Sequence, residues 1–155
     1  MNEKKWAYED FAVGAVIDLG TKHVTAEEII EFASEFDAQR MHLDEEAGKA
    51  SILGGLSASG WHTCCIFMRM MCDAFLLDST SQGSPGMDYV RWKKPILAGD
   101  TLHGTSTITA MRESASRPGL GFVTVRHELK NQHGVVVTEL QNVGMFLKRN
   151  MGAAA

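Results

Sequence analysis

Ser57-Ala58-Ser59-Gly60-Trp61-His62-Thr63-Cys64-Cys65-Ile66-Phe67-Met68-Arg69-Met70-Met71-Cys72-Asp73-Ala74-Phe75-Leu76-Leu77 is the stretch whose reading decides the fold. Ser59 is a good helix N-cap, because its hydroxyl can accept a free amide of the first turn. From Gly60 to Leu77 no Pro or further Gly interrupts, so one helix about 27 Å long is predicted. Trp61, Ile66, Phe67, Met68, Met71 and Phe75 are among the apolar residues that cover most of its circumference. A helix greasy on nearly every side has to be enclosed by protein. Only His62, Arg69 and Asp73 share a polar stripe, the last two spaced i,i+4 for pairing.

The enclosing material lies downstream. Met87 to Lys94, Thr101 to Met111, Gly121 to Lys130 and Val135 to Lys148 are rich in β-branched and aromatic residues. Pro95 and Gly99-Asp100, Arg117-Pro118-Gly119, and Asn131-Gln132-His133-Gly134 punctuate them. Short turns between consecutive strands predict antiparallel pairing. Thr101, Thr105, Thr107 and Thr109 fall on one strand face, suited to solvent. The fold class expected is α+β, an antiparallel sheet wrapped around one long helix.

Upstream, Tyr8 to Gly20 has room for a short edge strand. Thr25-Ala26-Glu27-Glu28 is a capping box, and Ile29, Phe32, Ala33 and Phe36 recur at helical spacing, so a helix is predicted from about Thr25 to Phe36. A second short helix is expected between Asp44 and Gly48. Asp37 then falls at the first helix's exit, five positions before His42. A carboxylate and an imidazole converging on one water can take its proton and return one elsewhere. Backbone carbonyls at a helix end disfavour an anion, so Asp37 is expected to be raised in basicity.

Bulk properties fit these elements. The 155 residues suit one domain, residues 1–155, with a core over about 8–148 and a frayed tail at 151–155. A net charge of -4 and the lack of a basic stripe argue against nucleic acid. No apolar run approaches a membrane span, and the N-terminus does not read as a signal peptide. Cys64, Cys65 and Cys72, odd in number and on one helix, are expected to be small packing residues in a reducing cytoplasm rather than disulfides or metal ligands. No metal, flavin or nicotinamide fingerprint is present.

Three segments carry a family resemblance: Phe32 to Ala47, holding Asp37 and His42; Ala58-Ser59-Gly60-Trp61-His62-Thr63; and Asp88-Tyr89-Val90-Arg91-Trp92-Lys93-Lys94-Pro95 with Gly99-Asp100. In this order they resemble the MaoC-like dehydratases, which include the (R)-specific enoyl-CoA hydratases and share the hot dog fold. The resemblance implies a hydro-lyase that adds or removes water reversibly across the 2,3 bond of an acyl-CoA or acyl-carrier thioester, in fatty acid metabolism. Asp37 and His42 would be its acid–base pair. The Gly60 amide would face the enolate oxygen, a place where a helix N-terminus also favours an anion. Glycine there would let substrate approach the backbone. Gln39, Arg40, Ser59 and His62 are expected to bind substrate. Coenzyme A would enter only as part of the substrate, and the assembly expected is a cytoplasmic homodimer or larger homo-oligomer.

The chain also departs from that family. Phe36, Gln39 and Arg40 stand where the enoyl-CoA hydratases usually have Gly, Asn and Pro. An arginine there suggests a second carboxylate on the acyl group, with a solvated surface side chain as the alternative. Arg91, Lys93 and Lys94 could meet coenzyme A phosphates, although alternating strand charges more often form a solvated face. His23, His103, His127 and His133 have no local partner pattern and are expected at the surface. A thioesterase is the alternative within the same fold, but it usually places a carboxylate on the long helix, where only Asp73 is available. A module that binds acyl thioesters without transforming them is the third reading.

Overall fold

Four strands of the second half and one of the first build a five-stranded antiparallel sheet in the computed structural model, which describes residues 4–151. The elements are β1 (Val16–His23), α1 (Ala26–Phe36), α2 (Glu45–Ala50), α3 (Gly60–Ala74), β2 (Met87–Trp92), β3 (Thr101–Glu113), β4 (Leu120–Lys130) and β5 (Val136–Leu147). Leu102 and Ile108 of β3, Val123, Val125 and Leu129 of β4, and Leu140 and Phe146 of β5 are buried. Against them lie Ile66, Phe67, Met70 and Met71 of α3. This is the α+β hot dog arrangement. Gly104 of β3 lets α3 settle on the sheet, since a Cβ there would come within 3.1 Å of Leu19 and Met70. The residues beyond 151, most of the expected frayed tail, lie outside the described ones.

The expected first helix, its capping box and the Asn131–Gly134 hairpin are all present. Thr25 accepts from the Glu28 amide, and Asn131 N donates to Val135 O. Three expectations need correction. Strand order is β1-β3-β4-β5-β2, so β2 does not pair with β3, its successor in sequence. Instead the chain from β2 crosses to the far side. Ala58 N bonds Ile96 O, Ala98 N bonds Leu56 O, and Gly99 N bonds Val24 O. This crossing lies against the segment that leads into α3.

The second correction concerns α3, which ends at Ala74. Phe75 leaves the helical region (φ -154°) to enter the aromatic cluster of Trp6, Phe11 and Phe146, and a short 3-10 turn follows. The helix is therefore about 22 Å long. Nor is it enclosed on every side: Trp61 is 63% and Met68 50% exposed, and Cys65 beside them is exposed too.

Third, His127 is not a surface residue. It lies on the inner face of β4, 1% exposed, against the Phe67 ring at 4.5 Å. Neighbouring strands supply its partners: Ser106 Oγ and Asn142 Oδ1, each 2.8 Å from a ring nitrogen. Those partners are 21 and 15 positions away in the chain, which is why no local pattern revealed them. His23 and His133 are exposed, and His103 is half-buried, bonded to Asp18. No helix among the described residues is long and apolar enough to cross a membrane.

Candidate active site

Two helix ends meet at the site. Asp37 is the C-cap of α1, its own amide bonded to Ala33 O, and Ser59 is the N-cap of α3. Between them a 3-10 turn over Arg40–His42 directs His42 inward, where it is 6% exposed. His42 Nε2 lies 3.6 Å from Asp37 Oδ2. That gap is too long for a hydrogen bond between the two, and it leaves both atoms able to contact a common third atom. His42 Nδ1 lies 2.7 Å from Ser57 O. A carbonyl only accepts, so Nδ1 carries a proton and Nε2 is the nitrogen left to face Asp37.

Asp37 is held from two sides. Ser59 Oγ donates to Oδ2 at 2.6 Å, and Gln39 Nε2 donates to Oδ1 at 2.8 Å. These donors, Ser59 first, pull its pKa below the usual aspartate value against the opposing effect of burial. The expected rise from the end of α1 is therefore overturned, because two direct hydrogen bonds outweigh the diffuse field of helix-end carbonyls.

Gly60 opens α3 with its amide unbonded to any described residue, while the Ser59 hydroxyl caps the Trp61 amide. The need for glycine has a different cause from the one expected. A Cβ at residue 60 would come within 2.5 Å of the Trp92 ring, so it is the β2 indole that approaches the backbone there. Trp92 and Trp61, 5.6 Å apart edge to face, flank this helix end. Sequence reasoning missed Trp92, and missed Ser57 as the carbonyl that fixes the His42 tautomer. Neither has a local signature.

The remaining expected site residues divide. Ser59 is fully buried with its donor on Asp37, so it does not reach outward as a substrate contact. Gln39 is exposed, with its amide on Asp37. Arg40 is exposed and has no ion pair or side-chain hydrogen bond among the described residues. His62 is buried in the first turn of α3, stacked on Phe32 at 4.7 Å with Nε2 3.7 Å from Glu28 Oε1 and Nδ1 without a hydrogen-bond partner among the described residues. Burial lowers its pKa. It lines a groove of about 420 Å³ between α3 and β1, whose rim carries Lys22, Arg69 and Asp73; Asp37 and His42 do not line it. Arg91 and Lys93 both bridge Glu139, leaving Lys94 as the expected phosphate contact without such a bridge.

Residues 10–131 match the model of the MaoC like domain. This chain belongs to the MaoC-like domain family. Among solved structures it is similar to a MaoC-like dehydratase from Rhodospirillum rubrum, 38% identical, covering 92% of this chain and 97% of that one with a TM-score of 0.83. The uncharacterized protein YdeM of Bacillus subtilis is 30% identical over 142 residues, 91% of this chain and 98% of YdeM. The unliganded R-hydratase PhaJ1 of Pseudomonas aeruginosa shares the fold at a TM-score of 0.73, over 92% of this chain and 86% of its own, with 16% identity. The chain is thus a MaoC-like domain with the hot dog fold.

Proposed function

We propose that this MaoC-like protein is a hydro-lyase acting on an acyl-CoA or acyl-carrier thioester, adding or removing water across the 2,3 bond in the (R)-specific manner. The observation that carries this reading is His42 Nε2 lying 3.6 Å from Asp37 Oδ2, a carboxylate held by the residue that precedes Gly60 at the start of α3. A water between the two side chains would lose its proton as its oxygen attacks Cβ. Charge would then move through Cα to the thioester oxygen, and the Gly60 N–H at the positive end of α3 would stabilise the enolate. One such donor typically contributes about 3 kcal/mol to the barrier.

Coenzyme A belongs to the substrate in this reading, with no further cofactor. Arg40, exposed and without an ion pair among the described residues, favours a second carboxylate on the acyl group over a plain aliphatic chain. A second copy of the chain would cover Trp61, Met68 and the open edge of β2, giving a homodimer with each site near the subunit boundary. The thioesterase alternative is weaker: the only carboxylate of α3 is Asp73, exposed and paired with Arg69 at 3.0 Å.

A hydration screen over short, medium, branched and dicarboxylic enoyl-CoAs, followed by loss of the enoyl absorbance, tests the reading. Turnover without thiol release is the expected result, and Arg40→Ala should erase a preference for mesaconyl-CoA over crotonyl-CoA. Thiol release in place of hydration would move the protein to the thioesterases. Tight binding without turnover would make it a binding module.

A further inference from the structure

We propose that Ser59 is a positioning residue that holds Asp37 as an anion turned toward His42, leaving His42 Nε2 as the atom that carries the moving proton. The inference rests on the hydro-lyase reading and divides the labour within the pair. Ser59 is fully buried and its hydroxyl is used in both senses: it donates to Asp37 Oδ2 and accepts from the Trp61 amide at 3.3 Å. Its one donor is therefore spent on Asp37. With Gln39 on Oδ1, each carboxylate oxygen already faces a donor. Both donors bond the charged carboxylate more strongly than the neutral acid, so the geometry favours the anion. Asp37 is a poor proton acceptor here for that reason.

His42 is built the opposite way. Its Nδ1–H is fixed by Ser57 O, and Nε2 faces the Asp37 carboxylate at 3.6 Å. The step then balances as follows. Water gives its proton to Nε2 as its oxygen bonds Cβ, and the π pair of the double bond moves to form the enolate opposite Gly60. The imidazolium, stabilised by the unprotonated Asp37, returns that proton to Cα as the thioester carbonyl re-forms. Both side chains finish as they began, and the product has gained one water. Because the same hydroxyl caps α3, Ser59 also fixes the carboxylate relative to the amide that receives the enolate.

Carbon-13 titration of the Asp37 carboxyl by NMR, alongside the pH profile of kcat/KM, tests this in the full chain. In Ser59→Ala the Asp37 titration should move upward, turnover should fall about tenfold or more with KM within about twofold, and the acid limb should rise. Ser59→Thr, which keeps the hydroxyl, should restore both. Gln39→Ala, on an exposed turn that tolerates truncation, should move the titration in the same direction. An Asp37 titration unchanged in Ser59→Ala and Gln39→Ala would overturn the proposal, even if activity drops, since only a helix cap would then have been lost. A wild-type protein inactive on every enoyl-CoA would remove the hydro-lyase reading, while the NMR titration would still decide whether Ser59 grips Asp37.

Discussion

His42 and His127 are both buried, yet their surroundings differ in one respect that separates chemistry from structure. His127 has each ring nitrogen matched, Ser106 on one side and Asn142 on the other, beneath the Phe67 ring. Burial lowers its pKa to about 4, against a smaller opposing effect from Asn142, so it is a neutral cross-strand tie. His42 has one nitrogen fixed by a backbone carbonyl and the other facing a carboxylate across 3.6 Å. A saturated imidazole stiffens a sheet, whereas one with a spare lone pair beside an anion can exchange protons.

The largest expected contrast comes from paired substitutions. Asp37→Ala should lower enoyl-CoA hydration by at least about 100-fold, while His127→Gln should leave the rate within a few-fold. Equal losses would erase the distinction. Next in size is stability. His127→Ala strands Ser106 and Asn142 and opens space under Phe67, so urea unfolding should show a loss of about 3 kcal/mol.

A pH series sharpens the same contrast. The folded pKa of His127 lies below its unfolded value near 6.5, so the unfolded chain binds the extra proton between them. The stabilisation from neutral burial is complete above about pH 6.5 and is lost as pH falls toward 4, by up to about 3 kcal/mol. His62, lowered by burial as well, adds to the same window. His127→Gln should flatten the slope, and an unchanged slope would place its origin elsewhere. The smallest effect is expected at the exposed Arg69–Asp73 pair, where Arg69→Ala should leave the unfolding midpoint within experimental error.

Local physics made the helix starts legible. The Thr25 capping box and the Ser59 cap involve residues within three positions, and both formed where the sequence placed them. The end of α3 was not legible, because Phe75 turns away to join aromatic rings contributed by residues 6, 11 and 146. For the same reason β2 could not be placed: its partner β5 lies more than forty residues downstream, and Tyr89–Glu139 bonding across them has no local trace. At the site, Asp37 and His42 stood out through spacing and family resemblance. The donors that lower the Asp37 pKa read as substrate contacts in the sequence, which does not reveal which way the Ser59 hydroxyl or the Gln39 amide points.

The most direct measurement is the steady-state hydration rate of His42→Ala beside wild type, on the best enoyl-CoA substrate, with melting temperature recorded on the same samples. A rate at least about 100-fold lower in a protein that still melts cooperatively is the result predicted. Normal turnover without the imidazole would place the chemistry elsewhere in the molecule.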